Sequence, residues 1–285
     1  MKNIFIQNSD KETEMSECIY STPSGDIHYW KNRIRKDRQT LVLLPGLTAD
    51  HHLFDQQIKA LKNDYNLLTW DAPGHAASRP FKLDFSLADK AKWLHGILER
   101  EGIKKPILIG QSMGGYVSQY YMELYPGETG GFISIDSAPL KRRYLTAVEL
   151  WLLERIEPVY RIYPRKALLR DGSKGCSETA YGRKLMAHFI NTYEHEEYCH
   201  LAGHGFRILA KAIEADLPYE IDCPAILICG EKDKAGSAKH YNRKWAEQEG
   251  LTIYWISNAG HNANTDKPEE INEIIRTFAE SICPE

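Results

Sequence analysis

The sequence predicts an α/β protein: a mostly parallel, twisted sheet of about eight strands flanked by helices, with a helical cap inserted into it. Three observations predict it. Short, dense apolar runs stop abruptly at Gly, Pro or Asp. Longer amphipathic runs separate them, so strand and helix patterns alternate. One stretch, 138–221, breaks this alternation and carries no strand pattern.

The first elements form a pair. Residues 18–36 read as an antiparallel hairpin turning at Pro23-Ser24-Gly25-Asp26, residue types that favour turns. Six apolar runs follow. Residues 40–44 stop at Pro45-Gly46, and 65–70 stop at Asp71-Ala72-Pro73-Gly74. Residues 106–109 stop at Gly110, and 132–135 stop at Asp136. Residues 225–229 stop at Gly230, and 251–256 precede Gly260. Such dense apolar runs, without a strict alternation at every second position, read as strands buried on both faces, as in a parallel sheet.

Between the runs lie helices. Ser86 caps one, with Leu87, Ala91, Leu94, Ile97 and Leu98 along one side and Asp89 completing a capping box. Near the C-terminus Asp266 reads as a cap, Lys267 as the first helical position and Pro268 beside it. Ile271, Ile274, Ile275, Phe278 and Ile282 then form an apolar stripe. In 138–221, helical pieces are expected around 145–157, 178–199 and 204–216. This stretch is rich in rings: Trp151, Tyr160 or Phe189 either roofs a small to medium apolar or aromatic substrate or forms the insertion's own core. The expected division is a core of 1–137 and 222–285 with a cap, 138–221, between consecutive strands. A folded insertion is expected because structureless loops of that length are rare in compact domains.

Composition excludes several classes of function. The net charge of −3 and the absence of a Lys/Arg stripe argue against a nucleic-acid partner. Ile4-Phe5-Ile6 is the only apolar run at the N-terminus and is too short for a secretion signal. No run approaches the roughly 20 apolar residues of a membrane span. The cysteines at 18, 176, 199, 223, 229 and 283 form no CxxC pair and read as free thiols in a reducing cytoplasm. No dinucleotide fingerprint or Walker loop is present. The expectation is a cytoplasmic protein acting on a small molecule without membrane or nucleic acid; its oligomeric state is not legible.

The sharpest chemical signal is Gly110-Gln111-Ser112-Met113-Gly114-Gly115, a G-x-S-x-G motif after a strand and before a helix. A serine nucleophile must project from a sharp strand-to-helix turn, where small flanking residues let backbones pass closely. The helix N-terminus behind Ser112 offers free amides to a developing oxyanion. Serine needs a base, and the base an orienting acid. Among the 11 histidines, His261 has the setting for a base: a loop after strand 251–256, before the last helix. Asp233, in Gly230-Glu231-Lys232-Asp233, leads as the acid, with Asp136 at the end of the preceding strand as the alternative. Chemistry alone does not choose between them. The amide of Met113 is one oxyanion donor. Gly46 would bend the chain sharply and leave the Leu47 amide as the second. His51 and His52 either line the entrance or lie on the surface. His188, His195, His200 and His204 have no recognised metal-ligand spacing, and no metal site is expected.

These segments, with Asp71-Ala72-Pro73-Gly74-His75-Ala76-Ala77-Ser78 and Gly260-His261, occur in the order seen in alpha/beta hydrolases. The chain resembles the esterase/lipase-like members of that superfamily over about 25–283. The resemblance implies the alpha/beta hydrolase fold, Ser112 as nucleophile, His261 as base, Asp233 as acid, and oxyanion donation from Leu47 and Met113. It implies no metal and no organic cofactor. It identifies 138–221 with the family's cap. Two departures are visible. Pro45 stands where the family often has His, and Ala76 where it often has Gly, which implies a turn with little demand for positive φ. Serine rather than aspartate at 112 argues against haloalkane dehalogenase and epoxide hydrolase chemistry. The expected reaction is hydrolysis of a carboxylic ester, lactone or thioester. Carbon–carbon bond hydrolysis, other acyl transfer, or a triad-retaining receptor would use the same residues.

Overall fold

The computed structural model describes residues 14–282. The run Ile4-Phe5-Ile6 and Cys283 lie outside the described residues. Strands β1 (Ser16–Thr22) and β2 (Gly25–Lys31) form the antiparallel hairpin, paired from Ser16↔Lys31 to Thr22↔Gly25. The turn is therefore tighter than expected: Pro23 and Ser24 alone connect the strands, and Gly25 and Asp26 belong to β2. Then come β3 (Thr40–Leu44), a 3-10 turn (His51–Phe54), α1 (Asp55–Leu61) and β4 (Asn66–Trp70). Helix α2 (Leu87–Arg100), β5 (Ile107–Gln111), α3 (Met113–Leu124) and β6 (Gly131–Ile135) complete the first half.

Five helices separate β6 from the next strand. They are α4 (Ala147–Glu154), α5 (Glu157–Ile162), α6 (Arg165–Cys176), α7 (Ala180–Asn191) and α8 (His195–Glu214). Strand β7 (Ala225–Gly230), α9 (Ala238–Glu249), β8 (Thr252–Ile256), α10 (Ala263–Asp266) and α11 (Pro268–Ser281) follow.

The eight strands form one sheet in the order β1-β2-β4-β3-β5-β6-β7-β8, parallel from β4 onward. Each face covers its own core. Val42 and Leu44 of β3 pack with Leu68, Trp70, Leu94, Leu108 and Trp245. Leu41 and Leu43 point the other way, to Leu67, Ile107, Ile133, Ile271 and Ile275. Because side chains alternate along a strand, two covered faces favour apolar residues at successive positions, as in β3 to β7; β8, expected to be covered on both faces, lies at the edge of the sheet with Thr252 and Tyr254 exposed. Strand β3 neighbours both β4 and β5, so the chain winds one way before β5 and the other way after it. The carboxyl ends of β3 and β5 therefore border the crevice where open α/β sheets place their ligands.

Two helix starts compare instructively with expectation. Ser86 caps α2 with the reciprocal Ser86–Asp89 capping box. Asp266, by contrast, does not cap α11: it ends α10, Lys267 is the junction, and Pro268 opens α11. Its carboxylate is taken by donors from elsewhere. In the insertion, the piece expected at 178–199 is divided between α7 and α8, and α8 continues through 204–214 as one helix. Helix α6 was not foreseen; Gly172 and Gly175 thin its apolar pattern. Helices α4 and α5 pack on α8, and α6 on α7. No helix among the described residues is long and apolar enough to cross a membrane. Cys18, Cys176, Cys199, Cys223 and Cys229 form no disulfide.

Candidate active site

The motif around Ser112 is a steric solution. Ser112 sits between β5 and α3 at φ 48 and ψ −115, a conformation costly for a residue with a Cβ. It is held by its amide donating to Ile135 O at 2.9 Å and its carbonyl accepting from Gly115 at 2.9 Å. A Cβ on Gly110 would run into the backbone of Gly114 and Gly115. One on Gly114 would run into the Leu44 carbonyl, and one on Gly115 would sit 2.5 Å from the Ser137 side chain. Strand β3, strand β5 and α3 thus meet at contact distance. Gly114→Ala is expected to cost about 2–3 kcal/mol, because the obstacle is backbone that cannot rotate away. Urea unfolding followed by circular dichroism checks this; an unchanged midpoint would show that the elbow is looser than its contacts.

His261 and Asp233 meet. Nδ1 of His261 lies 3.0 Å from Oδ2 of Asp233, with the side chains 13% and 0% exposed. The other carboxylate oxygen of Asp233 accepts from the Ala235 amide at 2.7 Å, which fixes the carboxylate plane. Asp136 is close but committed elsewhere. Its two oxygens accept from the amides of Gly230 at 2.7 Å and Ala263 at 2.9 Å. It joins the loops that carry Asp233 and His261 without being the imidazole's hydrogen-bond partner. Burial, and then the charge of Asp233, push the Asp136 carboxyl well above the usual range. Burial pulls the His261 pKa down, but the charge of Asp233, its hydrogen bond and the charge of Asp136 outweigh this and raise it.

The turn after β3 differs from expectation in where its strain lies. Ala49 donates to Gly46 O at 3.3 Å, so Leu47 and Thr48 are the central residues. Thr48, not Gly46, has the positive φ, at 65. Gly46 is needed for closeness instead: a Cβ there would strike the Gln111 side chain and stand 3.2 Å from Ser112 Cβ. Leu47 therefore lies one residue from a backbone that touches the elbow. Met113 opens α3, so its amide has no acceptor within the helix.

Two residues join this region unannounced. Gln111 Nε2 donates to His261 O at 2.9 Å and Asn262 Oδ1 at 3.2 Å, tying the elbow to the histidine loop. Its signal was available: a polar residue ending an apolar strand. Asp266 Oδ2 accepts from the Gly260 amide at 2.8 Å, next to His261.

Other candidates are placed differently. Ala76 has φ 37, so the turn after β4 keeps the positive φ that its alanine argued against. Outside donors and acceptors enforce it: Ala76 N donates to Tyr193 Oη at 3.1 Å and Ala77 N to Asp71 Oδ2 at 2.9 Å. His51 is tied to buried Asp71 at 2.8 Å and stacks on Trp30 at 3.6 Å, while His52 pairs with Asp55 at 3.0 Å. Trp151 is 54% exposed and Phe189 1%, so one faces solvent and the other packs in the core. Ligand-type atoms gather at Asp50-His51-His52 and at Asp136-Cys229-Asp233. In the insertion, His200 instead lies 3.3 Å from Glu157 and His195 3.8 Å from Cys199.

The comparisons agree with this architecture. A family model described as "Alpha/beta hydrolase family" matches residues 41–274. A Bacillus subtilis protein named "Uncharacterized hydrolase YugF" is 24% identical over 265 residues, covering 90% of this chain and 96% of its own. The (E)-2-((N-methylformamido)methylene)succinate hydrolase of Acinetobacter baylyi is 23% identical, covering 94% of this chain and 99% of its own. A thermophilic esterase from Thermogutta terrifontis has a similar fold, with a TM-score of 0.74 at 18% identity, over 94% of this chain and 99% of that one. A strand-to-helix serine elbow at a sheet's switch point, within a sequence matched over most of its length, has one assignment: the chain belongs to the alpha/beta hydrolase family.

Proposed function

We propose that the protein is a serine hydrolase acting on a small to medium carboxylic ester, lactone or thioester. One observation carries this reading. A histidine bonded to a buried carboxylate, His261 to Asp233 at 3.0 Å, follows the carboxyl end of one parallel strand, and a serine held at φ 48 in an elbow follows the carboxyl end of another. Ser112 Oγ attacks the carbonyl carbon while Nε2 of His261 takes its proton. Asp233 keeps Nδ1 protonated and stabilises the imidazolium that forms. The amides of Leu47 and Met113 receive the oxyanion. Collapse breaks the bond to the leaving group, which takes the proton from His261, and the acyl group remains on Ser112. Water then attacks by the same roles, releasing the acid and restoring the serine. The insertion 138–221 acts as the cap over the carboxyl ends of the strands. The relatives named as hydrolases and the esterase fold support this reading.

A fluorophosphonate probe tests it. The expected result is complete loss of ester hydrolysis with one phosphonyl group on the peptide containing Ser112. Labelling elsewhere, or activity that survives stoichiometric labelling of Ser112, sinks the assignment.

The pH profile follows from His261. The imidazole must be neutral to accept the serine proton, and its pKa is raised above 6.5. Activity is therefore lost as pH falls through that value. The acid limb of kcat/KM for a p-nitrophenyl ester is expected to bend above pH 6.5 and to fall about tenfold per unit below the bend. A limb centred on the acid side of 6.5 would mean that the charges of Asp233 and Asp136 do not govern His261.

A further inference from the structure

The loop that carries His261 travels far to reach the serine. It leaves β8, which lies three places from β5 in the sheet, so about 14 Å separates the strand that ends at the elbow from the strand that feeds the histidine. Each of residues 260–263 has a backbone group fixed from elsewhere. The Gly260 amide donates to Asp266 Oδ2 at 2.8 Å, the Asn262 amide to Cys176 O at 2.8 Å and the Ala263 amide to Asp136 Oδ2 at 2.9 Å. The His261 carbonyl accepts from Gln111 Nε2 at 2.9 Å. The first three ties lead to α10, to the insertion and to the end of β6. The fourth leads to the elbow, because Gln111 ends β5 and directly precedes Ser112.

Gln111 is built into this place. It is 2% exposed, and both N–H groups of its amide are used, the second donating to Asn262 Oδ1 at 3.2 Å. Its Oε1 lies over Gly46, where a Cβ would strike it, so the glycine of the turn that carries Leu47 leaves room for the amide. One side chain therefore meets three parts of the proposed machinery. It is covalently next to the nucleophile, hydrogen-bonded to the histidine loop and in contact with the turn after β3. Burying an amide here is unfavourable in itself, and its two hydrogen bonds offset that. The bond goes to the carbonyl of His261 rather than to its ring, so the pairing of Nδ1 with Asp233 does not depend on it.

We infer that Gln111 is a positioning residue: its bond to His261 O sets the distance and angle at which the imidazole meets Ser112 Oγ. The inference rests on the serine mechanism proposed above. Proton transfer needs Nε2 within hydrogen-bond reach of Oγ, and a misplacement of about 1 Å in such a group costs on the order of 100-fold in rate. The other three ties keep the loop folded when the fourth is lost. Removing the Gln111 bond therefore loosens the alignment without releasing the loop, and Asp233 and Asp136 still face His261.

Steady-state hydrolysis of p-nitrophenyl butyrate by Gln111→Met and Gln111→Asn tests this, with circular dichroism to confirm folding. Methionine fills a similar space and has no donor. Asparagine keeps the amide but ends one carbon–carbon bond, about 1.5 Å, short of the His261 carbonyl. Each variant is expected to lower kcat roughly 10- to 100-fold, with KM within about twofold of wild type. The rate at which a fluorophosphonate labels Ser112 is expected to fall by a similar factor. The acid limb of the pH profile is expected to stay in place, and the melting temperature to fall by only a few degrees. Wild-type kcat in either folded variant overturns the inference. So does a loss carried by KM, or an acid limb that moves, since Gln111 would then act on the charge of the imidazole and not on its place. Labelling of the wild type keeps the two readings apart. A wild type that does not label at Ser112 removes the serine mechanism itself, whereas a labelled wild type with unaffected variants removes only the role of Gln111.

Discussion

Ser112→Ala is expected to lower kcat for p-nitrophenyl butyrate by roughly 10⁴- to 10⁶-fold, with the protein still folded. The proposed mechanism passes through a covalent bond to the serine oxygen, and alanine has no atom to form it. What remains is binding and the oxyanion amides, worth a small residue of rate over water. Asp233→Asn is expected to cost roughly 10⁴-fold, because an amide cannot hold the Nδ1–H tautomer or balance the imidazolium. Asp136→Asn separates role from proximity. Its oxygens bind the amides of Gly230 and Ala263, not the imidazole. Its loss in kcat is therefore expected to be far smaller than that of Asp233→Asn. Steady-state rates of the three variants, with circular dichroism to confirm folding, decide the matter. A Ser112→Ala protein with wild-type turnover removes the serine mechanism, and equal losses at 136 and 233 remove the assignment of Asp233 as the acid.

Asp266→Ala is expected to lower stability by about 3–5 kcal/mol, or roughly 10 °C in melting temperature. Asp266 is 5% exposed and its carboxylate accepts from Ser177 Oγ, from the amides of Glu178 at 2.9 Å and Thr179 at 3.0 Å, from Thr179 Oγ1 at 2.9 Å and from the Gly260 amide at 2.8 Å. It fastens the segment between α6 and α7 to the loop carrying His261, where Asn262 N also donates to Cys176 O at 2.8 Å. Alanine leaves these donors buried without an acceptor, which costs more than the bonds contributed. Burial raises the pKa of Asp266, but the hydrogen bonds outweigh it and hold the value below 3.8. A depressed carboxylate contributes stability above its unfolded pKa and loses it as pH falls through the folded one. The gap between wild type and variant should thus be full at pH 7 and narrow as pH falls below about 4. Calorimetry at both pH values measures it; a loss under about 1 kcal/mol at pH 7 would show that water replaces the carboxylate freely. Asp266→Asn, which keeps one acceptor oxygen, is expected to fall between the two.

How much was legible depended on the range of the interaction. Strands β3 to β7 were visible because burial on both faces writes itself into consecutive residues; β8 at the sheet edge is apolar despite exposing Thr252 and Tyr254. The capping box at Ser86 was visible because its partners are three positions apart. Helix α9 showed no comparable pattern: it is polar apart from a few positions, of which Ala238, Tyr241 and Trp245 are buried. The insertion was legible as helical but not in its divisions, since its amphipathic faces are completed by one another rather than by the sheet. Ala76 and Thr48 carry positive φ without glycine, so the turns were announced by Pro45-Gly46 and Pro73-Gly74 but these backbone conformations were not.

By itself the sequence determined the layered α/β class, the strands, the glycine-lined elbow at Ser112 and the loops that carry Asp233 and His261. Each rests on a local rule: strand periodicity, turn chemistry, or a Cβ that would not fit. Only the tertiary structure decided which carboxylate meets the imidazole and that Asp266 is a hub instead of a helix cap. Pairing β6 with β7 through Ile135↔Ile228 sets Asp136 beside Gly230, 94 residues away in the chain. The same sheet order leaves Asp233 for His261, 28 residues further on. The physical reason is that a carboxylate's chemistry is the same wherever it stands, and its role is chosen by the donors that folding brings within 3 Å of it.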